Sequence, residues 1–359
     1  MARYRAAVIG CGFRGRAHIR AYEGMEEAEV VACCDIAPAR REEVTAELGI
    51  TAFADADQML EAEEPDIVHI ATPPDARVGL MALVSEMGVP LCTVEKPIAT
   101  GVRDWRELVA LEARSKTRFA VCHQFRWHEH LVKCREALAS GKLGAVLFLD
   151  FSAGMNISGQ GTHILNYGMS LNGESPTAQV FGSAGGLSEK DSVHPAPDNT
   201  VGYLTFANGV RALWNNGRTA PRVAEPEVEW KHVRAAAYAE KGRVLWEEFG
   251  RWEIVSPKGV ETGSYGDMDA WTANNVKAQA AFHTAMIGWL EQGATAGTNL
   301  KQSLHEWQTV LALYASALWR RPVEMDRFDP PEDLFEQLAR GLAGGEAAQG
   351  SAGERAPGP

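Results

Sequence analysis

The chain has 359 residues, with 35 Lys and Arg against 47 Asp and Glu, a formal net charge of −12. That length accommodates one large domain or two medium ones, and the acidic balance gives no general attraction to nucleic acid or to an anionic membrane. No apolar run approaches the roughly 18 residues of a membrane-spanning helix, and Ala6 to Ile9 is too short for the core of a signal peptide.

In chain order, Tyr4 to Ile9 reads as a strand, followed by a glycine-rich turn and a helix through Ala17, Ile19, Ala21 and Tyr22. Glu29 to Cys34 is a second strand, and Pro38 opens a helix, a favoured place for proline. Asp66 to Ala71 and Leu91 to Val94 are further strands, each followed by a helix, the second over Val102 to Arg114. Arg118 to Cys122 closes the series. Strands alternating with helices predict a doubly wound parallel sheet covered on both faces, an α/β Rossmann domain.

From about 140 to 260 the pattern changes. Val146 to Ala153, Val201 to Phe206, Val210 to Trp214, Arg234 to Ala239 and Arg251 to Val255 read as strands. They are separated by turn signals such as Asn208-Gly209. This predicts a large, mainly antiparallel sheet in a second α/β domain. Ala278 to Gln292 and Leu300 to Leu318 have helical apolar spacing. The change of pattern predicts two domains, 1–123 and 124–341. The helix near 300–318 is a candidate to pack back on the first domain. The Gly-, Ala- and Pro-rich stretch 342–359 is predicted to be disordered.

The six cysteines at 11, 33, 34, 92, 122 and 134 form no CxxC pair, so no zinc ribbon or thioredoxin motif is written here. Buried reduced thiols and a cytoplasmic location are expected.

Gly10-Cys11-Gly12-Phe13-Arg14-Gly15 is a GxGxxG between a strand and a helix, and Asp35 ends the next strand 20 residues after Gly15. Gly10 permits the tight turn, Gly12 lets backbone approach a pyrophosphate, and Gly15 lets helix and strand pack closely. The helix N-terminus offers unpaired N–H groups to the anion. The Asp35 carboxylate accepts ribose hydroxyls and repels a 2′-phosphate, so NAD is expected over NADP, with Arg40 and Arg41 nearby to soften the preference.

The strand Leu91–Val94 runs into Glu95-Lys96-Pro97. Together with the GxGxxG, Asp35 and Ala71-Thr72-Pro73-Pro74, this resembles the Gfo/Idh/MocA family of sugar and inositol oxidoreductases. Phe125-Arg126, Phe206-Ala207-Asn208-Gly209 and Leu311 to Pro322 extend the resemblance over nearly the whole chain. It implies a dinucleotide-binding domain over 1–123, a substrate-binding and oligomerisation domain over 124–341, and a catalytic Lys96 beside the nicotinamide and the reacting carbinol. Chemically, desolvation and a cationic nicotinamide would both lower a lysine from ~10.4 toward a useful range for a base. It also implies a cofactor set of Gly10, Gly12, Phe13, Arg14, Gly15, Asp35, Arg40, Thr72, Pro73, Glu95 and Lys96.

The second family motif is a histidine beginning a helix, flanked by aspartates. Here it corresponds to Gly161-Thr162-His163-Ile164-Leu165-Asn166, with His163 at the catalytic position. The upstream aspartate position is Gly159 and the downstream one Asn166. Gln160 and Asn156 are able to replace a hydrogen bond there but not a charge. The expected substrate contacts are Lys96, Arg126, Trp127, Asn156, Gln160, His163 and Tyr167, the last sharing a helix face with His163. His194 and Asp198, in a proline-bearing loop, read as structural. His128 and His130, two apart on a helix and so ~200° apart, do not chelate one ion, and no metal is expected. Trp214, Trp230, Trp246, Trp252 and Trp271 suit core, interface or sugar-face packing.

The expected activity is NAD-dependent hydride transfer at a secondary hydroxyl of a sugar, cyclitol or sugar derivative, by a homodimer or homotetramer. The loss of the Gly159-position carboxylate keeps open a redox-neutral glycosidase or epimerase using tightly held NAD. A third reading is a non-catalytic dinucleotide-binding regulator.

Overall fold

The parallel sheet follows from runs such as YRAAVI and LCTVE, which are apolar on both faces and need cover on both. The computed structural model describes residues 3–187, 196–222, 228–264, 267–293 and 295–352. His194 and the last seven positions, 353–359, lie outside the described residues. The strands of the first sheet are β1 Tyr4–Ile9, β2 Ala28–Cys34, β3 Thr51–Phe53, β4 Ile67–Ile70, β5 Leu91–Glu95 and β6 Arg118–Cys122. Those of the second are β7 Val146–Ala153, β8 Thr177–Gly185, β9 Asn199–Phe206, β10 Arg211–Gly217, β11 Val233–Ala239, β12 Gly242–Glu247, β13 Arg251–Ser256, β14 Gly259–Ser264 and β15 Val323–Glu324. The helices among the described residues are α1 Phe13–Arg20, α2 Pro38–Leu48, α3 Ala56–Glu63, α4 Arg77–Glu86, α5 Val102–Arg114, α6 Glu129–Ala139, α7 Thr162–Leu171, α8 Met268–Gln292, α9 Leu300–Trp319 and α10 Leu334–Ala352.

The chain divides into two compact units. The first comprises Met1–Thr100, Asp104–Lys133 and Tyr265–Leu304; the second comprises Gly101–Arg103, Cys134–Ser264 and His305–Pro359. The first unit thus runs ten residues past the expected boundary at 123. It also takes in α8, whereas most of α9, the helix expected to pack back, belongs to the second unit. The reason lies in the apolar face of α8. Phe282, Met286 and Ile287 are buried in one cluster with Tyr22, Ile67, Leu91 and Ala120 of the parallel sheet and its surroundings. The expected disordered stretch from 342 begins inside α10, which continues to Ala352.

In the first unit every strand pairing is parallel, in the order β3-β2-β1-β4-β5-β6. The order reverses between β1 and β4, which opens a crevice beyond their carboxyl ends, the usual ligand position in such sheets. In the second unit nine strands run β14-β13-β12-β11-β7-β10-β9-β8-β15, all antiparallel except β7 with β10. Helices α7 and α9 cover one face. Gly168 of α7 lies on the Phe151 ring, and Gly182 and Gly202 of the sheet lie against Leu313 of α9. The opposite face carries Phe181 and Tyr203, which are cross-strand partners, together with Val201 of β9 and Tyr238 of β11, all exposed.

Candidate functional site

The loop after β1 is shaped by its glycines. Gly10 has φ of +100°, and a Cβ there would lie 2.7 Å from the Ala71 carbonyl oxygen, so β1 and β4 close on each other at this point. A Cβ on Gly15 would collide with the Gly10 carbonyl oxygen. At Gly12 the nearest atom to a Cβ is Arg40 Nη1 at 3.8 Å, so this is where the loop leaves room for a ligand. Gly12 also caps α1, whose first N–H groups lack a side-chain partner.

Asp35 ends β2 with its carboxylate fixed. Oδ2 accepts from the Cys11 N–H at 2.8 Å and Oδ1 from the Ala37 N–H at 2.8 Å. Arg40 Nη1 stands 3.5 Å from Oδ2, while Arg41 donates to the carbonyls of Asp35 and Ile36. A cavity of about 740 Å³ opens here, lined by Gly10, Asp35, Ile36, Arg40, Thr72 and Pro73 among others. Ile36 is 89% exposed and offers an apolar surface beside the carboxylate. Thr72 Oγ1 is buried with no hydrogen-bond partner among the described residues. A carboxylate for ribose hydroxyls, an open glycine at a helix N-terminus and an orphaned hydroxyl fit a dinucleotide. Phe13 is 79% exposed at the start of α1.

Arg77, which sequence reasoning missed, fastens two lips of this crevice. Its Nε and Nη2 donate to the Thr72 carbonyl at 3.0 and 2.7 Å, and its Nη1 donates to the carbonyls of Glu95 and Pro97 at 2.5 Å each. Burial lowers it to about 10, and it stays charged at neutral pH. The Lys96-Pro97 peptide between those carbonyls is cis.

Glu95 is buried and bound by Arg14 Nε at 2.8 Å and His18 Nε2 at 3.1 Å. Burial alone would raise its carboxyl, but Arg14 and His18 outweigh this and hold it well below the usual range. Arg14, expected on the cofactor, also gives Nη2 to Gln279 Oε1 at 2.9 Å. Beyond β6, His123 is lowered to about 3 by burial and then by the charges of Arg126 and Lys96. The first unit therefore gathers Lys96, His123 and Arg126 in one electrostatic neighbourhood. Arg126 lies over the Trp127 ring at 5.9 Å and against Gly297. Trp127 packs edge-on to Phe282 at 5.1 Å, which places it in the apolar cluster around α8.

The second unit gathers the other candidates around one turn. Asn156 caps a single π-turn, Ile157–Gly161, by accepting from the Gly159 N–H at 2.9 Å, and α7 follows directly. His163 Nδ1 meets Tyr167 Oη at 3.3 Å one helical turn on, and Gln160 Nε2 donates to the Trp230 carbonyl at 2.6 Å. A Cβ at Gly159 would sit 2.9 Å from Met155 Cβ, so the turn is closed to a larger residue there. Asn166, fully buried, donates Nδ2 to Glu306 Oε1 of α9 at 2.6 Å. Sequence reasoning missed Glu306, a buried carboxylate 140 residues away. Asp198 is buried.

Residues 4–123 match the model of the oxidoreductase family with an NAD-binding Rossmann fold, Gfo/Idh/MocA. A D-apiose dehydrogenase of Paraburkholderia graminis is 27% identical over 347 residues, covering 90% of this chain and 90% of that protein. Inositol 2-dehydrogenase of Rhizobium meliloti is 24% identical over 254 residues, covering 67% of this chain and 76% of that protein. A solved oxidoreductase from Agrobacterium radiobacter, in complex with NAD+, L-tartaric acid and magnesium, has a TM-score of 0.77 at 20% identity, covering 90% of this chain and 99% of that chain.

Proposed function

We propose that this chain belongs to the Gfo/Idh/MocA family of NAD-binding oxidoreductases, whose model its residues 4–123 match, and that it oxidises a secondary hydroxyl of a sugar, cyclitol or sugar derivative. NAD, when bound, supplies the hydride acceptor. Asp35 receives the adenosine ribose hydroxyls, with its two oxygens already oriented by the N–H groups of Cys11 and Ala37. Gly12 and the start of α1 take the pyrophosphate. Lys96 Nζ takes the proton of the reacting hydroxyl, and His163 holds or relays that proton. Gln160 and Arg126 are the contacts for other hydroxyls, whereas Tyr167, fully buried and edge-on to Trp246, and Asn156, buried as the cap of the π-turn, orient His163 and are not expected to touch the substrate.

The observation that carries this reading is the fixed carboxylate of Asp35 in the crevice between β1 and β4, with Lys96 at the end of β5 of the same sheet. The test is to denature the purified protein and look for released NAD, then to follow absorbance at 340 nm with D-apiose, myo-inositol and a panel of aldoses. Steady NADH formation that Lys96→Ala abolishes supports it. Turnover without net NADH points instead to the redox-neutral reading. Full turnover by Lys96→Ala sinks both.

The exposed apolar side chains Phe181, Val201, Tyr203 and Tyr238, on the sheet face opposite α7 and α9, support a homodimer or homotetramer built on that face. Six free buried cysteines support a reducing, cytoplasmic location. No helix among the described residues is long and apolar enough to cross a membrane.

A further inference from the structure

Three histidines that the dinucleotide fingerprint does not use stack in the interior of the first unit. His18 of α1, His69 of β4 and His283 of α8 are each buried, with ring centroids 4.5 to 5.2 Å apart and planes within 14 to 23° of parallel. His18 Nδ1 and His283 Nε2 face each other at 3.0 Å, a hydrogen-bond distance that leaves no room for an ion between them. Both nitrogens of His69 are also already engaged, with Tyr22 Oη at 2.7 Å and Thr93 Oγ1 at 2.6 Å. The cluster is a hydrogen-bond chain and not a metal-ligating triad.

The protons in that chain are assigned by the charges around it. Glu95 is ionised and accepts from His18, so His18 carries its proton on Nε2. Burial keeps His18 neutral, which leaves Nδ1 as an acceptor. It faces His283 Nε2 at 3.0 Å, and Gln279 Nε2 lies 3.4 Å from the one and 3.2 Å from the other. His283 therefore donates through Nε2, and its Nδ1 is left buried with no partner among the described residues. Gln279 Oε1 closes the ring by accepting from Arg14 Nη2 at 2.9 Å.

We propose that His18, backed by His283 and Gln279, is a positioning residue for Lys96. It acts through Glu95: the side chain of Glu95 is held by His18 and Arg14 from α1, and its carbonyl by Arg77 from α4 at 2.5 Å. The residue before Lys96 is thus clamped at both side chain and main chain. Two of the clamping groups, Arg14 and His18, belong to the helix whose N-terminus faces the dinucleotide. The proposal rests on the reading of Lys96 as the proton acceptor.

The test compares full-length wild type, His18→Phe and His18→Gln, the last keeping an N–H near the position of Nε2. Lys96 is labelled with trace acetic anhydride across a pH series and read by peptide mass spectrometry, with no substrate present. Losing the donor leaves more of the Glu95 charge felt by its neighbour, so His18→Phe raises the labelling midpoint of Lys96 by roughly half a pH unit or more. His18→Gln restores it. With the substrate found in the screen, His18→Phe lowers kcat about 10- to 100-fold, as a displaced base does, while its NAD Kd stays within about threefold. A labelling curve for His18→Phe that superimposes on wild type overturns the proposal, as does a His18→Gln no better than His18→Phe. Retained turnover in Lys96→Ala overturns the functional reading instead, and leaves the labelling comparison as the test of the clamp.

Discussion

Asn166 Nδ2 donates to Glu306 Oε1 at 2.6 Å, and both side chains are buried. This restores, from α9, a carboxylate beside the helix position where the sequence carries only an amide. Asn166 lies three residues after His163 on α7, so the two are neighbours on one helix surface. Replacing Glu306 by Gln keeps the size and removes the charge. A nearby anion favours an imidazolium, so Glu306→Gln should lower the histidine limb of the kcat/KM–pH profile by roughly half a unit and reduce kcat by about tenfold. The double variant Asn166→Asp with Glu306→Gln moves the charge across the hydrogen bond and should recover both. Equal profiles for all three proteins would remove Glu306 from the mechanism.

Asp35 governs cofactor choice through two oxygens that are already oriented by backbone N–H groups. Asp35→Ser loses acceptors for two ribose hydroxyls and the charge that repels a 2′-phosphate. NAD affinity should fall about 10- to 100-fold, the scale of one or two charge-assisted hydrogen bonds. NADP affinity should rise, helped by Arg40, whose guanidinium would lose its 3.5 Å carboxylate neighbour. Titration with both cofactors measures the ratio, and an unchanged ratio would refute the assignment of Asp35.

The first sheet was legible because its signals are local. Tyr4–Ile9, Arg118–Cys122 and the helix Val102–Arg114 stand where apolar spacing placed them. The short β3 was not, since Thr51–Phe53 is three residues with no alternation to read. Thr177–Gly185 escaped because Gly182 and Gly185 dilute its strand character, although Gly182 is what lets Leu313 approach. At the site, GxGxxG, Asp35 and Lys96 are each written in a short stretch. The partners of Glu95 and Asn166 are not: Arg14 meets Glu95 across 81 residues, and Asn166 meets Glu306 across 140. Long-range pairs between buried polar groups leave no periodic trace, and a single chain offers no covariation to find them.

The histidine stack makes stability sensitive to acid. Burial lowers His18 below its ordinary 6.5, and His69 and His283 well below it. Below pH 6.5 the unfolded chain binds protons that the folded chain refuses, so stability rises with pH in that window and is lost on acidification. Each imidazole contributes about 1.4 kcal/mol per pH unit there, so three contribute about 4. Glu95 acts in a different window. Its depressed value gives stability above its ordinary 4.5 that is lost only as the pH falls further. The melting temperature should therefore drop between pH 7.5 and 5.5, and His283→Phe, which keeps a ring in the stack, should flatten part of that drop, the remainder coming from the other buried histidines, His123 and His128 among them. A melting temperature independent of pH over this range would contradict the neutral stack.

Gly159 tests why the upstream carboxylate is missing. Its N–H is held by Asn156 Oδ1 at 2.9 Å, which fixes the π-turn that delivers His163 to α7. A Cβ added there would stand 2.9 Å from Met155 Cβ and 3.1 Å from Met155 Cε. The methionine tip is able to swing away, but its Cβ is not. Gly159→Ala should therefore cost about 1–3 kcal/mol, the usual range for overpacking a closed site. Gly159→Asp should cost more, because the carboxylate enters a buried turn without a built partner. Met155→Gly removes the obstructing Cβ, so Met155→Gly with Gly159→Ala should be more stable than the sum of the two single changes predicts. Urea midpoints of the four proteins give the coupling. Strict additivity would mean that Met155 is not what keeps position 159 a glycine.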